Sequence, residues 1–370
     1  MRSAECGVRN LGKETTPHSA FRTPHSALET PRSASETPHS AFHIPHLKDR
    51  YGRAVSYLRV SITDRCNLRC FYCLPRAHAA HCREQLTLDE LAGVVRVGVG
   101  LGIRKIRITG GEPLVRPGVI EFVRGLRTID GIDDLALSTN GTLLADYAAD
   151  LRAAGLMRVN VSLDSLRPAV FRGISGRNDL PRVIDGIATA RAAGLHPIKL
   201  NVVVMRGVND DELPALLDFA TAHGAQARFI EYMPLGVGQR WASSYVPRSE
   251  ILNRIGAYLA PAPPQRRPGD TATYYALRSG GDVGVISPVS CRFCDLCNRL
   301  RLTADGKLRP CLTSEGEVDL RSALRPRLDS EALTQRFSAA VDGRPLHGSY
   351  PTISLDQPST DRRSMAAIGG

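Results

Sequence analysis

No stretch of this chain approaches the roughly 18 to 20 consecutive apolar residues that a bilayer-spanning helix requires, which argues against a helical membrane protein. The N-terminus also lacks the apolar segment of a secretory leader, so a cytoplasmic address is expected. Aromatic residues are scarce at 5% and are not interleaved with clusters of basic ones, so the stacking surface of a single-strand nucleic-acid binder is missing. Cysteine is too sparse for a disulfide scaffold, with nine in 370 residues. Acidic residues are in deficit, 37 against 48 Lys and Arg, and the net charge of +11 favours an anionic partner. Nucleic acid, a membrane surface and a phosphorylated small molecule are the candidates, and charge alone does not choose among them.

Large aliphatic residues are lacking in residues 1–46, where TPHSA recurs from Thr16, Thr23 and Thr37 and TPRSA from Thr30. Such a segment cannot offset its own ordering entropy. Its histidines invite a metal-binding reading, but the prolines forbid helix and no core would hold ligands in place. A disordered tail is expected.

From Tyr57 onward, β-branched runs alternate with amphipathic segments. The runs are residues 57–63, 104–109, 135–139, 158–163, 198–204 and 227–232, and the segments between them carry apolar residues at helical spacing and mostly end in Gly. Thr87 and Asn209, each followed by acidic residues, supply N-cap chemistry. Strand and helix in alternation read as βα units around a parallel sheet. Six units predict an α/β fold of the partial (β/α)6, TIM-like barrel type, with an open doubly wound sheet as the alternative; in both, ligands gather at the carboxyl ends of the strands. A Pro-rich stretch at 261–269 reads as a linker, giving a barrel over 47–265 and a smaller C-terminal region over 266–370.

Seven of the cysteines fall in two groups. Cys66, Cys70 and Cys73 form C-x3-C-x2-C just after the first predicted strand. Three thiolates can hold three irons of a cubane cluster and leave the fourth open, whereas structural zinc wants a fourth protein ligand. Cys294, Cys297 and Cys311 again give three, although Cys291 could complete a four-cysteine zinc set. An electron carrier would close each cluster with four ligands, so the three-cysteine sets favour an enzyme. Paired glycines in TGGEP, at the end of the second predicted strand, allow a backbone to approach a ligand closely.

CNLRCFYC resembles the signature of the radical S-adenosylmethionine (SAM) superfamily, in which the open iron binds the amino and carboxylate groups of SAM. The resemblance implies SAM contacts at Tyr72, Gly111, Glu112, Ser162 and Met233. The string from Ser287 to Leu312 resembles the C-terminal cluster motif of the molybdenum-cofactor GTP cyclases (MoaA-type), with Cys294, Cys297 and Cys311 as ligands and Cys291 outside the set. That family implies two [4Fe–4S] clusters, with the second, borne by the C-terminal extension, holding the guanine of GTP. It also implies GTP contacts at Arg59, Arg107, Ser138, Lys199, Arg299 and Arg301, and a C-terminal tail, here Gly369 and Gly370, that enters the site and helps start substrate radical formation.

Basic residues on strands inside a barrel would be costly without an anion, and a triphosphate suits them. The implied reaction converts GTP to 3′,8-cyclo-7,8-dihydro-GTP, drawing electrons from a flavodoxin- or ferredoxin-type donor and passing its product to a MoaC-type synthase. A radical SAM enzyme acting on a peptide or another small molecule is the alternative. The oligomeric state is not set by the sequence, and a homodimer stays open.

Overall fold

In the computed structural model, the described residues are 47–73, 84–235, 241–267, 269–314, 316–348 and 365–369. The repeat segment therefore lies outside them. Pro45–Gly370 forms one compact unit.

Six strands run parallel and pair in chain order: β1 (Tyr57–Ser61), β2 (Lys105–Thr109), β3 (Asp134–Thr139), β4 (Arg158–Ser162), β5 (Lys199–Val204) and β6 (Gln226–Glu231). Each expected run is a strand, shifted by a residue or two at its ends. The crossovers supply α1 (Leu88–Gly100), α2 (Val119–Arg127), α3 (Leu144–Ala153), α4 (Pro168–Ser175), α5 (Leu180–Ala192) and α6 (Leu213–Ala222).

Thr87 caps α1 in a capping box with Glu90. Asn209 does not cap α6, whose first residue is four positions later. Its buried amide instead accepts from the Met205 N–H at 2.8 Å and donates to the Asp164 carbonyl at 2.7 Å, tying two strand ends together.

Alternation sorts the strand side chains. Leu58, Val60, Ile106, Ile108, Leu135, Leu137, Val159, Val161, Leu200 and Val202 face outward and form one core with helix residues such as Leu91, Val94, Phe122, Leu151 and Leu216. Each buried side chain of this kind contributes about 2 kcal/mol, and truncating the fully buried Leu58 to Ala would cost about 2–5 kcal/mol. The opposite faces point to a shared interior.

Residues from 266 onward extend this sheet rather than building their own. After α7 (Trp241–Ser244) and α8 (Arg248–Arg254) come β7 (Gln265–Arg266), β8 (Thr273–Ala276), β9 (Asp282–Ile286), β10 (Arg299–Leu302), β11 (Lys307–Arg309), β12 (Val318–Asp319), α9 (Arg321–Leu324) and α10 (Ser330–Asp342). β9 pairs parallel to β6 and β10 parallel to β1, so the strand order is β12-β11-β10-β1-β2-β3-β4-β5-β6-β9-β8-β7. Ladder pairing does not join the ends. Yet β1, β2, β4, β5, β6, β9 and β10 all contribute lining to one cavity, so the sheet curls into a partial barrel rather than lying open. Among the described residues no helix is long and apolar enough to cross a membrane.

Candidate functional site

Strand direction places the two cysteine groups at opposite mouths of the barrel. The first follows the carboxyl end of β1, as the sequence suggests. Cys297 instead lies two residues before Arg299, which pairs with Tyr57 at the start of β1, and Cys311 lies two residues after Arg309, which pairs with Arg301. The second group therefore sits at the amino mouth, away from the carboxyl rim where ligands were expected, because β10 arrives parallel to β1. With strands of five or six residues, the mouths are about 17 Å apart.

Between them lies a cavity of about 440 Å³, within the range of ordinary ligand sites. Twelve Lys and Arg side chains line it, against a single carboxylate, Asp270. Arg59, Arg107, Lys199, Arg299 and Arg301 are all there, with Cys294, Cys297 and Cys311; Cys291 is not, and it is disulfide-bonded. Register explains the grouping: Arg59 faces Arg107 on one side and Arg301 on the other, while Asn160 faces Lys199. Ser138 pairs with Asn160 but does not line the cavity.

The electrostatics are those of crowded, desolvated cations. Burial, reinforced by Arg107, Arg299 and Arg228, lowers Arg59 to about 10. Burial together with Arg59 and Arg299 lowers Arg301 far below the usual guanidinium range. Lys199 is pushed down to about 8 by burial and by Arg228, only partly countered by Asp270 at 3.5 Å. Burial would raise Tyr57, but Arg107 and Arg59 bring its hydroxyl down to about 8. One terminal nitrogen of Arg107 is buried with no hydrogen-bond partner among the described residues, an N–H aimed at an acceptor the protein does not supply.

At the carboxyl mouth, the paired glycines meet backbone rather than ligand. A Cβ on Gly110 would lie 2.5 Å from the Thr63 carbonyl oxygen, and one on Gly111 2.3 Å from that of Arg65. Gly111 and Glu112 donate their N–H groups to those same carbonyls, each at 2.8 Å, zipping the loop to the approach to Cys66. The Glu112 carboxylate is fully buried and accepts from Leu114 N–H, the Thr139 hydroxyl and Asn140 N–H.

The Tyr72 hydroxyl donates to Asp164 at 2.6 Å. Ser162 is exposed at the end of β4, and Met233 lines the cavity, whereas Tyr72, Gly111, Glu112 and Ser162 do not. The tail intervenes. Met365 lines the cavity, the Ala366 N–H donates to Cys73, and the Gly369 carbonyl accepts from Arg301 at 2.9 Å and Arg59 at 3.2 Å. Gly369 has a φ of 69°, and a Cβ there would lie 2.9 Å from Thr109 and 3.0 Å from Ser61, so the position demands glycine. Gly370 lies outside the described residues.

Both cysteine groups suit a thiolate-bound cluster by the chemistry of their donors. All six are free thiols. Burial raises Cys66 to about 11 and Cys73 to about 12 and lifts Cys70 well above the ordinary thiol value, so these thiols stay neutral until a cation displaces their protons. Burial would also raise Cys297, but Arg299 outweighs it and lowers the thiol to about 6. Among the described residues no three Cys, His, Asp or Glu side chains converge on one point where a single metal ion could bind them.

Sequence reasoning missed Tyr57, Arg158, Asn201, Arg228 and Asp270, all lining the cavity. The first four occupy inward strand positions that alternation could have flagged. Asp270 directly follows the stretch read as a linker, part of which the structure turns into β7.

The Radical SAM superfamily model matches residues 60–220, and the Molybdenum Cofactor Synthesis C model residues 225–350. Two solved structures share the fold: Streptococcus suis SuiB bound to S-adenosylmethionine (TM-score 0.53, 13% identity, 74% of this chain and 65% of that one) and native anSMEcpe with bound AdoMet (0.52, 15%, 71% and 77%). The fold and the first cysteine loop thus define a radical SAM protein.

Curated relatives narrow the class. A GTP 3′,8-cyclase from Alkaliphilus oremlandii is 44% identical over 329 residues, 88% of this chain and all of that one. Another from Heliobacterium modesticaldum is 46% identical over 330 residues, 87% of this chain and 99% of that one. The chain belongs to the GTP 3′,8-cyclase family.

Proposed function

We propose that the chain converts GTP to 3′,8-cyclo-7,8-dihydro-GTP, the first step of molybdenum-cofactor biosynthesis, using SAM and two [4Fe–4S] clusters. The observation that carries this reading is the polarity of the cavity between the two cysteine groups, with twelve cations and one carboxylate. When bound, the first cluster and SAM would supply a 5′-deoxyadenosyl radical able to take the hydrogen from C3′ of the ribose, so that C3′ could bond to C8 of guanine, with one further electron from the low-potential donor and a proton quenching the ring radical to the dihydro product.

Cys66, Cys70 and Cys73 would hold the first cluster, with Tyr72, Gly111, Glu112, Ser162 and Met233 around SAM. Cys294, Cys297 and Cys311 would hold the second, where the guanine docks. Arg59, Arg107, Lys199, Arg299 and Arg301 bind and orient the nucleotide, each giving up a desolvation penalty when the anion arrives. Ser138 belongs to the same inward strand positions and completes that set. Gly369 and Gly370 would act as the tail that assists radical formation, with Gly369 held by Arg59 and Arg301.

Such chemistry needs a low-potential donor of the flavodoxin or ferredoxin type and a MoaC-type synthase to consume the product, and it belongs in the cytoplasm with its GTP. The test is anaerobic reconstitution with iron and sulfide, then SAM and dithionite with and without GTP. Strong stimulation of 5′-deoxyadenosine formation by GTP, with GTP consumed, supports the reading; SAM cleavage indifferent to GTP sinks it and leaves the radical SAM class with another substrate.

A further inference from the structure

We propose that Asp49, Arg53 and Arg344 form a buried clamp that positions the second cysteine loop, so that assembly of the second cluster depends on it and assembly of the first does not. The proposal rests on the reading above that Cys294, Cys297 and Cys311 hold a cluster.

Asp49 has a fully buried carboxylate with all its acceptor capacity in use. One oxygen takes Arg53 Nε at 2.7 Å and an Arg344 Nη at 2.9 Å, and the other takes the backbone N–H groups of Tyr51 at 3.0 Å and Arg53 at 2.9 Å. Anchored in this way, both arginines turn their remaining N–H groups onto backbone. Arg53 donates to the Cys294 carbonyl at 2.8 Å and Arg344 to the Cys297 carbonyl at 2.5 Å. Arg53 also grips the carbonyls of Pro345 at 2.7 Å and Leu346 at 3.1 Å, drawing in the segment that ends at Gly348, whose N–H meets Cys294 Sγ at 3.4 Å.

Two features separate this network from ordinary packing. A buried Asp with two arginines is no efficient source of stability, since an apolar cluster of the same volume would serve as well or better. What it supplies is directed N–H groups, and these fall on the carbonyls of two cysteines. Fixing the peptide plane next to a cysteine fixes the direction of its Cα–Cβ bond, and so the place of its sulfur.

Moreover, the loop has little of its own to hold it. Cys294–Leu296 is a single 3-10 turn closed by bonds of 3.2 and 3.3 Å, and Leu296 is 41% exposed. Its anchors come from residues about 240 positions earlier and about 50 later in the chain. Among the described residues the clamp side chains make no hydrogen bond to the first cysteine loop, which is tied to Gly111 and Glu112 instead.

The test uses full-length chain reconstituted anaerobically, as wild type, Asp49→Asn and Arg344→Lys, with Cys297→Ser marking a chain whose second site is disabled. Arg344→Lys keeps the charge and removes the paired N–H geometry. Iron and sulfide per chain are measured, with electron paramagnetic resonance of the reduced protein with SAM and with GTP, and thermal melting by circular dichroism.

The variants are expected to fall to about half the wild-type iron, the content of Cys297→Ser, keeping the SAM-induced spectral change and losing the GTP-induced one. Full iron with an intact GTP-induced change in both variants would overturn the clamp, as would loss of both clusters together with a collapsed melt in Arg344→Lys, which decides the matter if Asp49→Asn does not fold. Wild type that itself holds one cluster's iron would overturn the second-site reading and the clamp with it.

Discussion

Replacing Lys199 with Met should stabilise the nucleotide-free protein while weakening its hold on GTP. Lys199 is 9% exposed and held at about 8, against an ordinary value of 10.5. That difference corresponds to about 3 kcal/mol of destabilisation at neutral pH. The offset is the loss of its contacts, at 3.5 Å with Asp270 and 3.2 Å with the Tyr274 hydroxyl. Asp270 keeps the Tyr274 hydroxyl at 2.5 Å and the nearby charge of Arg228, so the lost contacts return about 1–2 kcal/mol.

The net gain is about 1–2 kcal/mol, or about 2 °C or more in melting temperature. The sign with pH follows from a folded value below the unfolded one. The penalty is fully present below about 8 and fades as pH rises from there to 10.5, so the gap between variant and wild type should narrow across that window. Removing one charge-assisted contact to a phosphate should raise the KM for GTP about 10- to 100-fold. Differential scanning fluorimetry from pH 7 to 10 reads the melting shifts, and initial rates over a range of GTP concentrations read the KM. A variant that melts below wild type without nucleotide would refute the idea that the cavity is strained for want of an anion.

The carboxyl mouth yields a second prediction. Gly111→Ala, with its Cβ 2.3 Å from the Arg65 carbonyl, must displace the first cysteine loop, so iron should fall by about half and SAM cleavage about 100-fold or more, measured as 5′-deoxyadenosine. Removing Gly369 and Gly370 should leave both clusters and GTP binding by equilibrium dialysis in place while GTP consumption falls at least 100-fold. Cys291→Ser should hold the full iron content, because Cys291 lies off the cavity; a loss of iron would place it among the ligands. Glu112→Gln keeps one acceptor oxygen but sets its amide NH₂ against at least one N–H that donates to the carboxylate, and should cost about 2 kcal/mol and the first cluster together.

How much of this was legible follows from the range of the interactions. The six parallel strands and the Thr87 cap are written in local periodicity and short-range hydrogen bonding, so residues 57–231 could be laid out from the sequence almost as they stand. β9 and β10 could not, because their parallel pairing with β6 and β1 is decided by the sheet edges rather than by anything within VGVI or RLRL. The site divides the same way. Cysteine spacing, GGEP and the basic strand residues announced themselves, whereas Asp49, Arg53 and Arg344 are an unremarkable acid and two arginines until the fold brings residues 49 and 344 within 2.9 Å.

The position of the second cysteine group gives the architecture its logic. If both clusters sat at the carboxyl rim, a substrate held by one would lie across the mouth, open to solvent. Under the proposed function, with β10 folded back parallel to β1, the substrate's anchor would be at the amino mouth and the radical source at the other, and the nucleotide would lie along the barrel axis between them. The cations that make the interior costly when empty would then be the groups that hold a triphosphate in line. The tail completes the path, since Ala366 touches Cys73 while Gly369 accepts from Arg59 and Arg301, so a five-residue segment reports on both ends. Under the proposed function a triphosphate held by the same two guanidinium groups would displace the Gly369 carbonyl and so move the tail, coupling substrate arrival to the surroundings of Cys73.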